Sequence, residues 1–382
     1  MNESGMDIRL SGDSHVSEPP DLWEKGMPAR FQDRVLHFPR VEYGKFNHSR
    51  PGGWDPRERL KDMAVDGIAA EVLYPTLAKG IFEQFFHEPF DLELSKACEH
   101  VYNDWMIEFC QEAPDRLWGQ AFIGLWDIDY AIKEMERAKN NGLKGVATWI
   151  ATPDDLPWTG DHYERFWSAA EEMEMPIGFH INTGFGAYVT RKTETRFETI
   201  TRQAYGHKVV AMGAMAEMIL SGVFERHPNL KVVLAEFECG WIPFFLEDLD
   251  RKFGRGRGLD LPKLPSEYFS HNVISTMMQD GVGGYLLNRW GTDNFVFSND
   301  YPHAGGIWPH TDDTMKLVFE ALPVETRKKV LAENLARVYG QPLPEPLARQ
   351  PFIEMEGQWQ RPWLRRADGA FTFDKPKMGL AI

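Results

Sequence analysis

The stretch that decides the fold is Phe295-Val-Phe-Ser-Asn-Asp300-Tyr-Pro-His303. A short apolar run, the right length for a buried strand, stops at a carboxylate, with a proline and a histidine close behind. A carboxylate at the mouth of a buried strand gives up hydration that only a cation or strong donors can replace. Three other apolar runs end in similar groups. Asp7-Ile-Arg-Leu-Ser-Gly-Asp13-Ser-His15 carries an acid and a histidine two apart, Met175-Pro-Ile-Gly-Phe-His180 ends in a histidine, and Lys231-Val-Val-Leu-Ala-Glu236 ends in a glutamate. Four strand ends bearing His, Asp or Glu point to a metal site at one end of a barrel.

Working outward, eight strand candidates appear at 7–13, 68–74, 117–124, 144–149, 176–180, 230–236, 272–276 and 295–300. Helix-like patterns separate them, among others at 91–112, 128–141, 162–174, 207–226 and 241–253. Gly142 ends one such helix just before a strand begins, as an αβ connection on the lower face requires. The alternation predicts an α/β fold, a (β/α)8 TIM barrel spanning residues 1–340. Residues 19–56, rich in Pro, Phe and charge, read as an insertion after the first strand that covers the site or makes an interface. The proline-rich tail 341–382 is expected to wrap the barrel or a partner subunit in extended form.

The composition narrows the function classes. A net charge of -15 with no basic patch argues against nucleic acid as a partner. The longest apolar runs are broken well short of a membrane span, and the first residues lack the basic-then-apolar order of a signal peptide. Cys98, Cys110 and Cys239 are too few for a disulfide framework and have no C-x-x-C spacing, which fits a reducing, cytoplasmic setting. With 13 Trp, 25 Phe and 11 Tyr, the chain has aromatics for a large core plus an oligomer interface, or for an aromatic-lined pocket.

In a strand, residues two apart face one side, so Asp13 and His15 point together into the barrel mouth. Glu18 follows where the chain has left the strand, and the three can converge on one or two cations. His180, Glu236 and Asp300 come from the fifth, sixth and eighth strands, so only barrel closure unites them. Each has a structural alternative: a turn cap for Asp13 or Asp300, a packed core ring for His15 or His180, a solvated loop acid for Glu18. Glu238 competes with Glu236, one ligating while the other pairs with Arg251 or Lys252. His207 and His303 are candidates to reach the site, whereas His271 opens the seventh strand at the opposite end. His227 suits the C-terminal dipole of a helix.

Asp13-Ser-His15, Pro176-Ile-Gly-Phe-His180, Phe224-Glu-Arg-His-Pro-Asn-Leu-Lys-Val-Val-Leu, Gly240-Trp-Ile-Pro-Phe and Phe297-Ser-Asn-Asp300-Tyr-Pro-His303, in this order, resemble the amidohydrolase superfamily. More narrowly they resemble its decarboxylase branch, which includes aminocarboxymuconate semialdehyde and γ-resorcylate decarboxylases. The resemblance runs from about residue 7 to 340. It implies a divalent metal (Zn, Mn or Fe) held by Asp13, His15, His180 and Asp300, and a homo-oligomer, dimeric or larger. Two departures stand out: Ser17 lies where many members have a second histidine, and Glu236 lies where many have a sixth-strand histidine. Added carboxylates suit a second cation. His15, Glu18, His180, Glu236, Asp300 and His303, with His207 as a further candidate, resemble the dinuclear iron or manganese sites of a few monooxygenases on this fold.

The leading expectation is a metal-dependent hydrolase or decarboxylase for a small carboxylated, aromatic or cyclic substrate. Asp300 would handle the proton, Glu236 would replace the usual histidine, and His303 or His207 would be the donor. A dinuclear non-heme iron monooxygenase is the alternative, and a non-catalytic barrel subunit a third. Phe185, Tyr188, Trp241, Met277 and Trp308 are candidate pocket residues, and Arg191 or Arg196 a candidate carboxylate anchor.

Overall fold

The computed structural model describes residues 7–19, 21–35, 50–81, 91–184, 205–256, 260–303 and 305–352. Its eight strands are β1 (Leu10–His15), β2 (Ala70–Tyr74), β3 (Leu117–Phe122), β4 (Gly145–Thr148), β5 (Ile177–His180), β6 (Val232–Ala235), β7 (Val273–Met277) and β8 (Phe295–Phe297). They lie side by side in chain order, and each pairs in parallel with the next. Every strand residue is buried. Burial on both faces explains why the strands read as apolar runs rather than as alternating patterns. The seam closes just beyond the end of β8, where the Asp300 N–H donates to the carbonyl of Asp13 in β1 at 2.9 Å. The architecture is the expected (β/α)8 barrel.

The helices follow the predicted pattern with local breaks. Asp91 caps Leu92–Cys110 by accepting from the Leu94 N–H, and Asp127 caps Ile128–Asn140 through the Tyr130 N–H. The stretch 207–226 is two helices, His207–Leu220 and Val223–Arg226, because Gly222 takes a left-handed φ of 80° between them. β1 reaches His15 instead of stopping at residue 13, with a register irregularity between Ser11 and Ser14. β8 is shorter than expected, because Asp300 itself is left-handed at φ 52°.

The expected insertion divides. Trp23, on a short helix Leu22–Gly26, is buried and donates to the Cys98 carbonyl at 3.1 Å, so this part packs on the barrel's outer helix. Residues 36–49 lie outside the described residues. The returning turn Pro51–Gly53 meets the site's rim, where the Gly53 carbonyl accepts from the Ser17 N–H at 2.8 Å. The described tail, 341–352, is extended: Arg349 donates to the Val65 carbonyl and pairs with Asp312, and Phe352 meets the Trp308 ring. Among the described residues no helix is long and apolar enough to cross a membrane.

Candidate metal centre

At the C-terminal mouth of the barrel two imidazoles face each other. His15, the last residue of β1, donates from Nδ1 to the Pro75 carbonyl at 3.0 Å. His180, the last residue of β5, donates from Nδ1 to the Ile181 carbonyl at 2.8 Å. A carbonyl only accepts, so both rings carry their proton on Nδ1 and expose a lone pair at Nε2. These two Nε2 atoms are 2.9 Å apart. Two lone pairs at that distance repel, and a cation beside them turns the repulsion into ligation.

Carboxylates ring this pair. Asp13 Oδ1 lies 3.5 Å from Nε2 of both His15 and His180, and Asp300 Oδ1 lies 3.5 Å from His15 Nε2. Glu236 Oε2 is 3.6 Å from His180 Nε2. Asp13 is fully buried, and among the described residues neither of its carboxylate oxygens has a hydrogen-bond partner. His303 Nδ1 sits 2.9 Å from Asp300 Oδ1, its ring stacks on His15 at 3.7 Å, and its Nε2 is 3.0 Å from the Thr76 hydroxyl. Two overlapping ligand groups result: Asp13, His15, His180 and Glu236, and His15, Glu236, Asp300 and His303.

The electrostatics report the desolvation. Burial pushes Asp13 up to about 7, against the pull of Lys79. Burial, then the negative charge of Asp300, pushes Glu236 up to about 8. Burial brings His180 down to about 4, helped by Lys79, and holds His15 well below the usual imidazole range. A dication in their midst would reverse the rise of the two carboxylates and reinforce the fall of the two imidazoles, favouring ionised acids and neutral rings together.

Several predicted residues fall elsewhere. Glu18 is buried but turned away from the cluster: its carboxylate accepts the N–H groups of Thr76 (3.1 Å), Leu77 (2.8 Å) and Ala78 (3.1 Å) and so clasps the loop after β2. His207 opens its helix and meets Asn182 Oδ1 at 3.0 Å, outside both ligand groups. Glu238 receives the Met278 N–H, while Arg251 and Lys252 pair with Asp248, so the pairing of Glu238 with either cation is not found. Met277 and Trp308 are core residues: Met277 meets the Cys239 thiol, and Trp308 lies under the Arg50 guanidinium. Trp241 is half-buried and donates to the Phe237 carbonyl at 2.9 Å. His227 pairs with Glu164 at 2.9 Å, a structural contact. Phe185, Tyr188, Arg191 and Arg196 lie outside the described residues.

Three residues escaped the sequence reading. Lys79 brings an ammonium to 3.5 Å from His180 Nδ1; burial depresses its basicity while Glu236, Asp13, Asp300 and Glu18 raise it. Thr76 donates its hydroxyl to the Val16 carbonyl at 2.6 Å and meets His303. Arg59, buried, pairs with Glu71 at 2.5 Å, donates to the His15 carbonyl at 2.7 Å and lies under the Tyr301 ring. Thr76 lies in the loop after β2 and Lys79 in the first helical turn that follows it, a junction without periodicity where sequence gives no direction for a side chain.

A barrel with this ordered set of candidate ligands at its strand ends can be placed by comparison with known families. The amidohydrolase family matches residues 13–341, and the chain belongs to that family. It is 27% identical over 220 residues to the γ-resorcylate decarboxylase of Rhodococcus jostii (strain RHA1), covering 52% of this chain and 64% of that protein. The chain thus spans just under two thirds of the length of that curated relative. An amidohydrolase from Mycobacterium avium subsp. paratuberculosis K-10 superposes with a TM-score of 0.73 at 18% identity, over 89% of this chain and 100% of that one. The dihydroxybenzoic acid decarboxylase of Polaromonas sp. JS666, with bound manganese and the inhibitor 2-nitroresorcinol, superposes with a TM-score of 0.62 at 17% identity, over 88% and 97%. At these identities the two structures share the fold.

Proposed function

We propose that this protein is a metal-dependent decarboxylase of a small carboxylated aromatic substrate. The observation that carries the reading is the facing pair of Nε2 lone pairs, 2.9 Å apart, beside the unpartnered buried carboxylate of Asp13. This donor set fits a divalent cation held by Asp13, His15, His180 and Glu236, with Asp300 at its edge. Mixed imidazole and carboxylate ligands suit manganese, zinc or iron. When bound, the cation supplies Lewis-acid polarisation of substrate oxygens.

The chain's own residues provide the rest. Asp300 and His303 form a 2.9 Å pair that can hold one proton between them. As the ring–carboxylate bond breaks and carbon dioxide leaves, the ring carbon keeps the electron pair and takes that proton. His303 is the better donor partner than His207, whose ring is engaged with Asn182. Metal-loaded protein should release carbon dioxide from ortho-hydroxybenzoates, and Asp300→Asn should slow that release by about 100-fold or more. Unchanged turnover in Asp300→Asn, or no release from any such acid by metal-loaded wild type, would sink the reading.

The second ligand group supports a second reading. His15 and Glu236 belong to both groups, so a two-ion site completed by Asp300 and His303 suits a dinuclear iron monooxygenase. Two iron atoms per chain with substrate-dependent oxygen consumption would select it; one zinc or manganese with carbon dioxide release would reject it. We also propose a homo-oligomer in the cytoplasm. Exposed Val209, Phe244, Val282 and Tyr285 on outer helices support self-association, and three free buried cysteines support a reducing compartment. Light scattering that gave a monomer mass would remove the oligomer.

A further inference from the structure

We propose that Lys79 is the anchor for the substrate's carboxylate, a role that rests on the decarboxylase reading. After β2, residues 76–78 present three consecutive N–H groups to the buried Glu18 carboxylate. Thr76 ties the same loop to the Val16 carbonyl and to His303. The residue that follows, Lys79, is therefore carried on a fixed support rather than on a free surface loop.

Its ammonium enters the ring of acids without pairing with any of them. Among the described residues, Lys79 makes no ion pair within 4.0 Å, and its one polar contact is His180 Nδ1 at 3.5 Å. That nitrogen already gives its hydrogen to the Ile181 carbonyl at 2.8 Å, so it has no lone pair to offer. Among the described residues, the three N–H groups of Lys79 find no acceptor at the mouth of the site. The acids cannot serve both purposes: Asp13 and Glu236 are ligand candidates in one group and Asp300 in the other. With a divalent cation present, the cation and Lys79 together match the negative charge of Asp13, Glu236 and Asp300. With the proton that Asp300 and His303 share, an arriving carboxylate then meets a net-positive site in which, among the described residues, the ammonium is the cation still lacking an acceptor. Lys79 thus selects substrates with an anionic oxygen next to the ring.

The test compares 2,6-dihydroxybenzoate with resorcinol, the same ring without the carboxylate, by calorimetric titration of metal-loaded protein, with metal content measured for every variant. Lys79→Met should weaken dihydroxybenzoate by about 10- to 100-fold, the range of a charge-assisted hydrogen bond. Resorcinol affinity and metal content should stay within about twofold of wild type, and Lys79→Arg should recover part of the loss. Lys79→Gln serves as a second neutral variant should Lys79→Met fold poorly. Unchanged dihydroxybenzoate affinity in the neutral variants overturns the assignment while leaving the decarboxylase reading intact. Equal loss of both ligands, or loss of metal, also overturns it, because the role would then be structural. If wild type binds resorcinol but not dihydroxybenzoate, or binds neither, the carboxylated-ring reading and the assignment fall together.

Discussion

At the scale of single residues, two buried carboxylates with similar sequence credentials do different work. Asp13 keeps both oxygens free of hydrogen bonds in a sealed site, whereas Glu18 spends its oxygens on three backbone N–H groups. Among the described residues, only the first has lone pairs left for a cation. His180→Gln should therefore lose most bound metal, as read by elemental analysis, because one of the two opposed Nε2 donors disappears; full metal retention would remove His180 from the ligand set. Glu18→Gln should retain metal but weaken the loop. An amide has one acceptor oxygen and an N–H2 that faces other donors, so we expect about 1–3 kcal/mol of destabilisation. Hydrogen exchange at residues 76–78 would rise with it, and unaltered protection there would show that Glu18 is not the clasp.

At the scale of elements, the strands were legible because both their faces are buried, which leaves largely apolar runs, even with Glu71 inside β2, Gln120 inside β3 and Ser11, Asp13 and Ser14 inside β1. His15, His180, Glu236 and Asp300 could be read as site residues for that reason. Lys79 and the true target of Glu18 could not, since loop direction is set by contacts remote in sequence. The single helix expected over 207–226 hid a break at Gly222, whose left-handed conformation no hydrophobic period signals. Contacts between helices carry a pH prediction. Glu134, on Ile128–Asn140, accepts from Arg137 at 2.7 and 2.9 Å and from Asn103 at 2.8 Å, with His100 at 3.3 Å. Burial opposes its charge, but these donors win and hold it down at about 2, below the ordinary 4.5. The folded state thus favours the ionised form, so this stabilisation is present above pH 4.5 and is lost as pH falls through about 2. Glu134→Gln should be less stable than wild type at neutral pH by about 1–3 kcal/mol. The gap should narrow towards pH 2; urea titrations showing a gap independent of pH would contradict the assignment.

At the scale of the whole molecule, the candidate ligands arrive from β1, β5 and just beyond β6 and β8, so a bound ion would tie opposite walls of the cylinder and both sides of its seam. A metal held in this way would bind the closed barrel and not the open chain, so free metal at 100 times its dissociation constant should add about 2.7 kcal/mol of stability. Chelation should lower the calorimetric midpoint, and added manganese should restore it in a concentration-dependent way. A midpoint indifferent to metal would mean that the ion is not held by residues from separate strands. The backbone at these strand ends has one more consequence. Glu236, Glu238 and Asp300 are non-glycine residues at φ 66°, 60° and 52°, each in a region that a side chain enters at a cost of about 1–2 kcal/mol. Selection for thermal robustness alone would favour glycine or asparagine at Glu236 and Asp300, relaxing the turns and erasing the ligands in one move. A lineage drifting towards hardiness would go silent as a catalyst before it lost its shape, and the left-handed carboxylates would be the first letters to change.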